Sequence, residues 1–170
     1  LKPFEIDDIL ESMVILVDTR EQPSERARKR YQSFDCQYRR QKLEYGDYSA
    51  EFSVDGNIYR VPAAIERKMD LEELSSCLTH DRDRFRREFE RAQADNASVY
   101  LLVEDANWEN IINGRYKTKF NAKAYFGSIT AWIARYNIKP IFCKKETSGK
   151  LIKQILYREI KERLERGDYG

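Results

Sequence analysis

Gly46-Asp47-Tyr48-Ser49-Ala50-Glu51-Phe52-Ser53-Val54-Asp55-Gly56-Asn57-Ile58-Tyr59-Arg60-Val61-Pro62-Ala63-Ala64-Ile65-Glu66-Arg67-Lys68 reads as two strands folded back on each other. The arms Tyr48–Val54 and Ile58–Ile65 are rich in aromatic and β-branched residues, and Asp55-Gly56-Asn57 between them is a turn signal. An acid therefore opens one strand, and acid-x-Lys closes its neighbour. Side chains alternate along a strand, so Lys68 projects from the same face as Glu66. Asp47 and Glu66 offer the hard oxygen ligands that Mg²⁺ requires. Lys68 is placed to position or deprotonate an attacking water.

The turn sets which residues meet. A type II′ turn on Gly56-Asn57 puts Asp47 directly opposite Glu66. A type I′ turn on Asp55-Gly56 puts Asp47 opposite Ala64, with Glu66 its diagonal neighbour on the same face. A three-residue loop would separate the two acids to opposite faces. Pro62 cannot donate to the ladder, so an edge or a bulge is expected beside it.

Working outward, 5–12 reads as a short helix, followed by a strand over 14–18. Ser24 caps a basic helix over 25–34, and a strand over 36–44 leads into the hairpin. Asp70-Leu71-Glu72-Glu73 has the form of a capping box and opens a helix over 70–78. Further helices are expected over 81–95, 106–113 and 121–137, a buried strand over 98–104, a strand over 139–144 and a last helix over 148–165. Helices alternate with strands, which predicts an α/β domain with a mixed central sheet flanked by helices. One domain over 1–170 is expected, with its core in 13–144.

The chain has 170 residues, 41% hydrophobic and 12% aromatic, enough for a single core. Charged residues make up 35%, and no apolar run approaches 18 residues. With no signal peptide visible, an intracellular protein without a membrane span is expected, in bacterial or phage-infected cytoplasm, or in the nucleus of a eukaryote. An opening at Leu1 rather than Met points to residues upstream. Cys36, Cys77 and Cys143 are odd in number and widely spaced, which predicts reduced thiols rather than a disulfide or zinc framework. His80 is the only histidine, so His-rich metal sites and two-histidine mechanisms are excluded.

Net charge is only +2, but residues 110–145 contain eight bases and no acid. That run includes Arg115, Lys117, Lys119 and Lys123, with Tyr116, Phe120 and Tyr125 interleaved. It reads as a surface that tracks a phosphate backbone, and otherwise as a solvated basic face. In 81–95, Arg84, Arg87 and Arg91 share one face and Phe85, Phe89 and Ala92 another. Five acids also fall in 81–95, so self-neutralising pairs compete with DNA contact there.

The motifs resemble the XPF-type family of structure-specific DNA endonucleases, within the PD-(D/E)XK (restriction-endonuclease-like) nuclease superfamily. Val17-Asp18-Thr19-Arg20-Glu21, then Gly46-Asp47-Tyr48, then Glu66-Arg67-Lys68 keep the family's order, and Asp83-Arg84-Phe85 is similar to its next stretch. The resemblance covers about Met13 to Cys143. It implies a Mg²⁺- or Mn²⁺-dependent endonuclease cutting branched or junction DNA without sequence preference. Asp47 and Glu66 would bind metal with Asp18 assisting, Lys68 would act on the water, and Glu21 and Arg67 would complete the catalytic set. Arg20, Arg84 and Arg87 would contact phosphate. It also implies a homodimer or heterodimer through C-terminal helices. Where the family places three residues between E-R-K and a following Asp-Leu, this chain has only Met69 before Asp70-Leu71, and a helix cap is the expected role of Asp70. No helix-hairpin-helix module is expected, as in a free-standing phage or prophage version. The competing readings are another PD-(D/E)XK nuclease, restriction-type or exonucleolytic, and a catalytically silent DNA-binding or dimerisation subunit.

Overall fold

A computed structural model describes residues 1–169. Its elements are α1 (Pro3–Glu11), β1 (Val14–Val17), α2 (Glu25–Gln32), β2 (Gln37–Arg40), β3 (Tyr48–Val54), β4 (Asn57–Arg60) and β5 (Ala63–Lys68), followed by α3 (Leu71–Leu78), α4 (Arg82–Ala94), β6 (Ser98–Glu104), α5 (Trp108–Ile112), α6 (Ala122–Tyr136), β7 (Lys139–Cys143) and α7 (Ser148–Arg166). The strands form one mixed sheet in the order β2-β1-β3-β5-β6-β7, with β4 pairing β3 alone. The two crossovers through α3–α4 and α5–α6 return the chain in parallel, as helix-containing connections do.

Helices cover both faces, so the central strands are buried on both sides. On one face Ile15, Val17, Tyr48, Ala50, Phe52 and Ile65 pack with α1, α2 and the Ile152, Leu156, Ile160 and Leu164 stripe of α7. On the other, Leu101 and Val103 pack with Leu74 of α3, Phe85 and Phe89 of α4 and Tyr125, Ile129 and Trp132 of α6. The α7 stripe thus packs within the chain's own core. On α5 and α6, Ile112 and Phe126 stay exposed. Among the described residues no helix is long and apolar enough to cross a membrane, and all three cysteines are free.

The hairpin combines features of both expected turns. Asp55 and Gly56 both have positive φ, 49° and 80°, as a type I′ turn demands. Val54 pairs with Asn57 and Glu51 with Arg60, the register of that turn. By itself it would leave Asp47 opposite Ala64. At Pro62, which has no N–H, the arm breaks into β4 and β5 and gains two residues, so Tyr48 pairs with Ile65 instead. Ser49 Oγ bridges the gap by donating to the Ala63 carbonyl at 2.7 Å. The even shift keeps every side chain on its face and brings Asp47 level with Glu66.

The strand expected over 36–44 ends at Arg40. Beyond it the chain leaves the sheet, and the Leu43 N–H donates to Asp18 Oδ1 at 2.8 Å.

Candidate active site

Two registers assemble the acids. Val17 pairs with Tyr48, so Asp18 lies level with Asp47 across β1 and β3, and its N–H donates to the Asp47 carbonyl at 2.9 Å. Tyr48 pairs with Ile65, so Asp47 lies level with Glu66 across β3 and β5. Gly46 makes this approach possible. At φ +73° it takes a left-handed conformation, and a Cβ there would fall 2.8 Å from that of Ala64.

Asp47, Glu66 and Lys68 line a cavity of about 360 Å³ together with Arg20, Glu21, Glu73, Arg84 and Glu88. Lys68 Nζ donates to Glu66 Oε1 at 2.7 Å and sits over the Phe85 ring at 5.2 Å. Asp47 Oδ2 accepts the Arg67 N–H at 2.8 Å. Burial pushes the Asp47 carboxyl well above the usual range, the Glu66 charge adds to this, and Lys68 opposes it. Burial likewise raises Glu66, against the pull of Lys68, with the neighbouring Glu88 raising it further. Burial would lower Lys68, but the charges of Glu66 and Asp47 more than offset it and hold the ammonium form.

Asp18 is fully buried but does not join this cavity. One oxygen takes the Leu43 N–H, and the other takes the backbone N–H and guanidinium of Arg20. Arg20 reaches on to Glu88 at 3.0 Å, leaving it half exposed on the rim. Glu21 faces away from solvent, 3.3 Å from Arg30 and 3.9 Å from Arg67. Arg67 in turn pairs with the buried Glu104 at 3.0 Å. Glu21 and Arg67 therefore line the cavity as members of an ion network that runs on to Arg30 and Glu104.

Glu73, Glu88, Arg30 and Glu104 were not singled out from sequence. Glu88 has a legible signal: it follows Arg84 by four residues, so both flank the Phe85–Phe89 face of α4 and border the cavity. The others reach the site only through tertiary packing.

The donor set suits a hard cation. Among the described residues no three acidic, histidine or cysteine side chains converge on one point. Mg²⁺ characteristically takes one or two carboxylates and completes its shell with water and substrate phosphate, which Asp47 and Glu66 could supply.

Asp70 lies outside the cavity lining, and its Oδ1 accepts the Glu73 N–H at 2.8 Å as the α3 N-cap. Glu73 returns to the N–H of Met69 rather than of Asp70. Asp70→Ala should cost about 0.5–2 kcal/mol, read as a lowered Tm, while cleavage survives. An inactive variant of undiminished Tm would give Asp70 a chemical role instead.

The expected basic band divides. Arg115, Lys117, Lys119 and Lys123 are exposed on the loop before α6 and its first turn. That loop is docked on α3, with the Lys117 N–H donating to Glu72 at 2.8 Å and Ser75 bonded to Thr118 at 3.0 Å. Lys139 instead pairs with Glu159 and covers Tyr100, and Lys145 lies beside α2. The run spans several elements, so a continuous charge in sequence becomes separate patches in space. On α4, Arg86 pairs with Asp83 and Glu90 and Arg91 holds the Glu44 carbonyl, whereas Arg84 and Arg87 remain exposed.

The model of the ERCC4 domain matches residues 17–155. Two solved structures of XPF from Aeropyrum pernix share the fold. The first has a TM-score of 0.63 at 17% identity and covers 92% of this chain and 69% of that one. The second, described as a complex with DNA, has a TM-score of 0.62 at 20% identity and covers 89% and 66%. Among curated proteins no relative matches.

Proposed function

The chain belongs to the ERCC4 domain family, and we propose that it is a Mg²⁺- or Mn²⁺-dependent endonuclease that hydrolyses phosphodiesters in branched or junction DNA. The observation that carries this reading is the pair of carboxylates, half-buried Asp47 and buried Glu66, brought level across β3 and β5 with the Lys68 ammonium in the same cavity.

A bound divalent cation would polarise the scissile phosphate and lower the pKa of its water. Asp47 and Glu66 would hold that cation. Lys68, kept protonated, would orient the attacking water and neutralise charge on the phosphate oxygens. Arg20 and Arg84 on the rim would hold flanking phosphates, and Arg87, Arg115, Lys117, Lys119 and Lys123 would carry the backbone onward. Phosphate contacts position a duplex without specifying bases, in keeping with a substrate chosen by shape. Asp18 would act indirectly, by fixing Arg20 and the Leu43 loop. A second subunit, homologous or identical, would dock on the exposed apolar residues of α5 and α6 rather than on α7.

Flap, fork, Holliday-junction, linear and closed-circular DNA, each incubated with Mg²⁺, Mn²⁺ or chelator, test the proposal. Metal-dependent cutting confined to branched substrates is expected. Cutting that needs a free end would make it an exonuclease. Equal cutting of unbranched circles would make it another type of endonuclease. No Mn²⁺ binding by calorimetry would make it a silent subunit.

A further inference from the structure

A second cavity, of about 370 Å³, opens between α2 and the start of α7. Arg26, Lys29, Arg30 and Lys145 line it, with Glu25 and Glu146 as the only acids among the described residues there. Arg30 lines the candidate active site as well, so the two cavities adjoin.

The wall between them is built of ion pairs. Arg26 and Arg67 share Glu104, and Arg30 and Arg67 share Glu21. These pairs tie Arg26 and Arg30 to the buried Glu104 and to Glu21, and Arg26 Nε is buried with no hydrogen-bond partner. Arg30 also donates to Tyr48 Oη at 2.9 Å, which locks it to β3.

The outer cations are less committed. Lys29 has only the exposed Glu25 at 3.4 Å, a pair of the kind worth about 0.2–0.5 kcal/mol. Lys145 is exposed and has no ion pair among the described residues. The start of α7 is pressed against α2. A Cβ on Gly149 would fall 1.8 Å from Ser33 Oγ and 2.5 Å from the Arg30 carbonyl. Lys29 of α2 and Lys145 before α7 thus line the same cleft as two ion-paired arginines.

We infer that the cleft between α2 and the start of α7 is a second phosphate subsite, taking a backbone phosphate of the DNA strand that passes through the candidate active site. The inference rests on the nuclease reading and extends it. A strand is a row of phosphodiester anions, and because Arg30 lines both cavities, one leaving the first lies beside the second. The cleft would then fix the direction in which one arm of the branch departs, on the side of the sheet opposite to the docked basic loop.

The test is the double variant Lys29→Ala/Lys145→Ala, whose two exposed side chains lie outside the buried ion network. Binding to flap DNA in chelator is measured against salt by fluorescence anisotropy. If the cleft holds one phosphate, the slope of log affinity against log salt should fall by about 0.9 on duplex, or about 0.7 on single strand. Lys29→Arg/Lys145→Arg should restore it. The loss should vanish on one of two substrates shortened to the scissile phosphate, from the 5′ or the 3′ side, and persist on the other. An unchanged slope, or an equal loss on both shortened substrates, overturns the subsite. Wild-type protein that cuts no DNA with metal would overturn the nuclease reading instead.

Discussion

Asp47→Asn and Glu66→Gln are each expected to reduce metal-dependent cleavage to background, because each removes an anionic ligand and keeps the shape of the side chain. Their effects on stability should diverge. Asp47 has no salt-bridge partner among the described residues, its carboxyl is raised by burial and by Glu66, and its bond from the Arg67 N–H survives in Asn. A carboxyl raised above its unfolded value loses stability as pH rises through its folded pKa. Asp47→Asn should therefore raise the Tm of metal-free protein at neutral pH, with the gain vanishing in acid, where both forms are neutral. Each kcal/mol relieved corresponds to about 2–4 °C in a domain of this size. Glu66→Gln strips the charge partner from Lys68 and should gain less or lose. Calorimetry across pH in chelator, beside flap cleavage in Mg²⁺, checks both. Wild-type cleavage by either variant would remove the pair from the metal site.

Lys68→Ala should lower turnover by roughly 10²–10⁴-fold, the usual range for a positioned proton-transfer or water-orienting group. Metal affinity should change far less than in the acid variants. The metal-free protein should also lose stability, since Asp47 and Glu66 lose their nearest cation. That loss should grow from acid to neutral pH as the carboxyls ionise, and a divalent cation should restore more of the Tm than it does in wild type. The raised pKa of Lys68 means its contribution persists through neutral pH and disappears only as alkaline pH passes its folded value. Full turnover with an unchanged pH–Tm curve would leave Lys68 with neither role.

The order of elements, the burial of the strand over 98–104 and the shared face of Glu66 and Lys68 were all legible in the chain. They follow from local rules: a period of two along strands, helical spacing of Phe85, Phe89 and Ala92, and side chains such as Ser24 and Asp70 that cap the turn beside them. The alignment of Asp47 with Glu66 was legible only as a pair of alternatives. The turn chemistry of Asp55-Gly56 chose one register, and the break at Pro62 converted it to the other before it reached the acids.

What tertiary structure alone decided are the contacts between residues far apart in the chain. Asp18 follows an apolar strand and reads as a third acid, yet the Leu43 loop folds back and occupies one of its oxygens. Glu88 enters the cavity because α4 packs over β6, the neighbour of β5, and Glu104 meets Arg67 because β6 lies parallel to β5. The acid-free run of 110–145 lost its continuity because a loop, a helix and a strand carry its charges to different sides of one sheet. Sequence by itself determined which face each side chain takes, because that depends on neighbours one turn or one pleat away. The partner each charge meets depends on chain returns tens of residues long, which no local periodicity encodes.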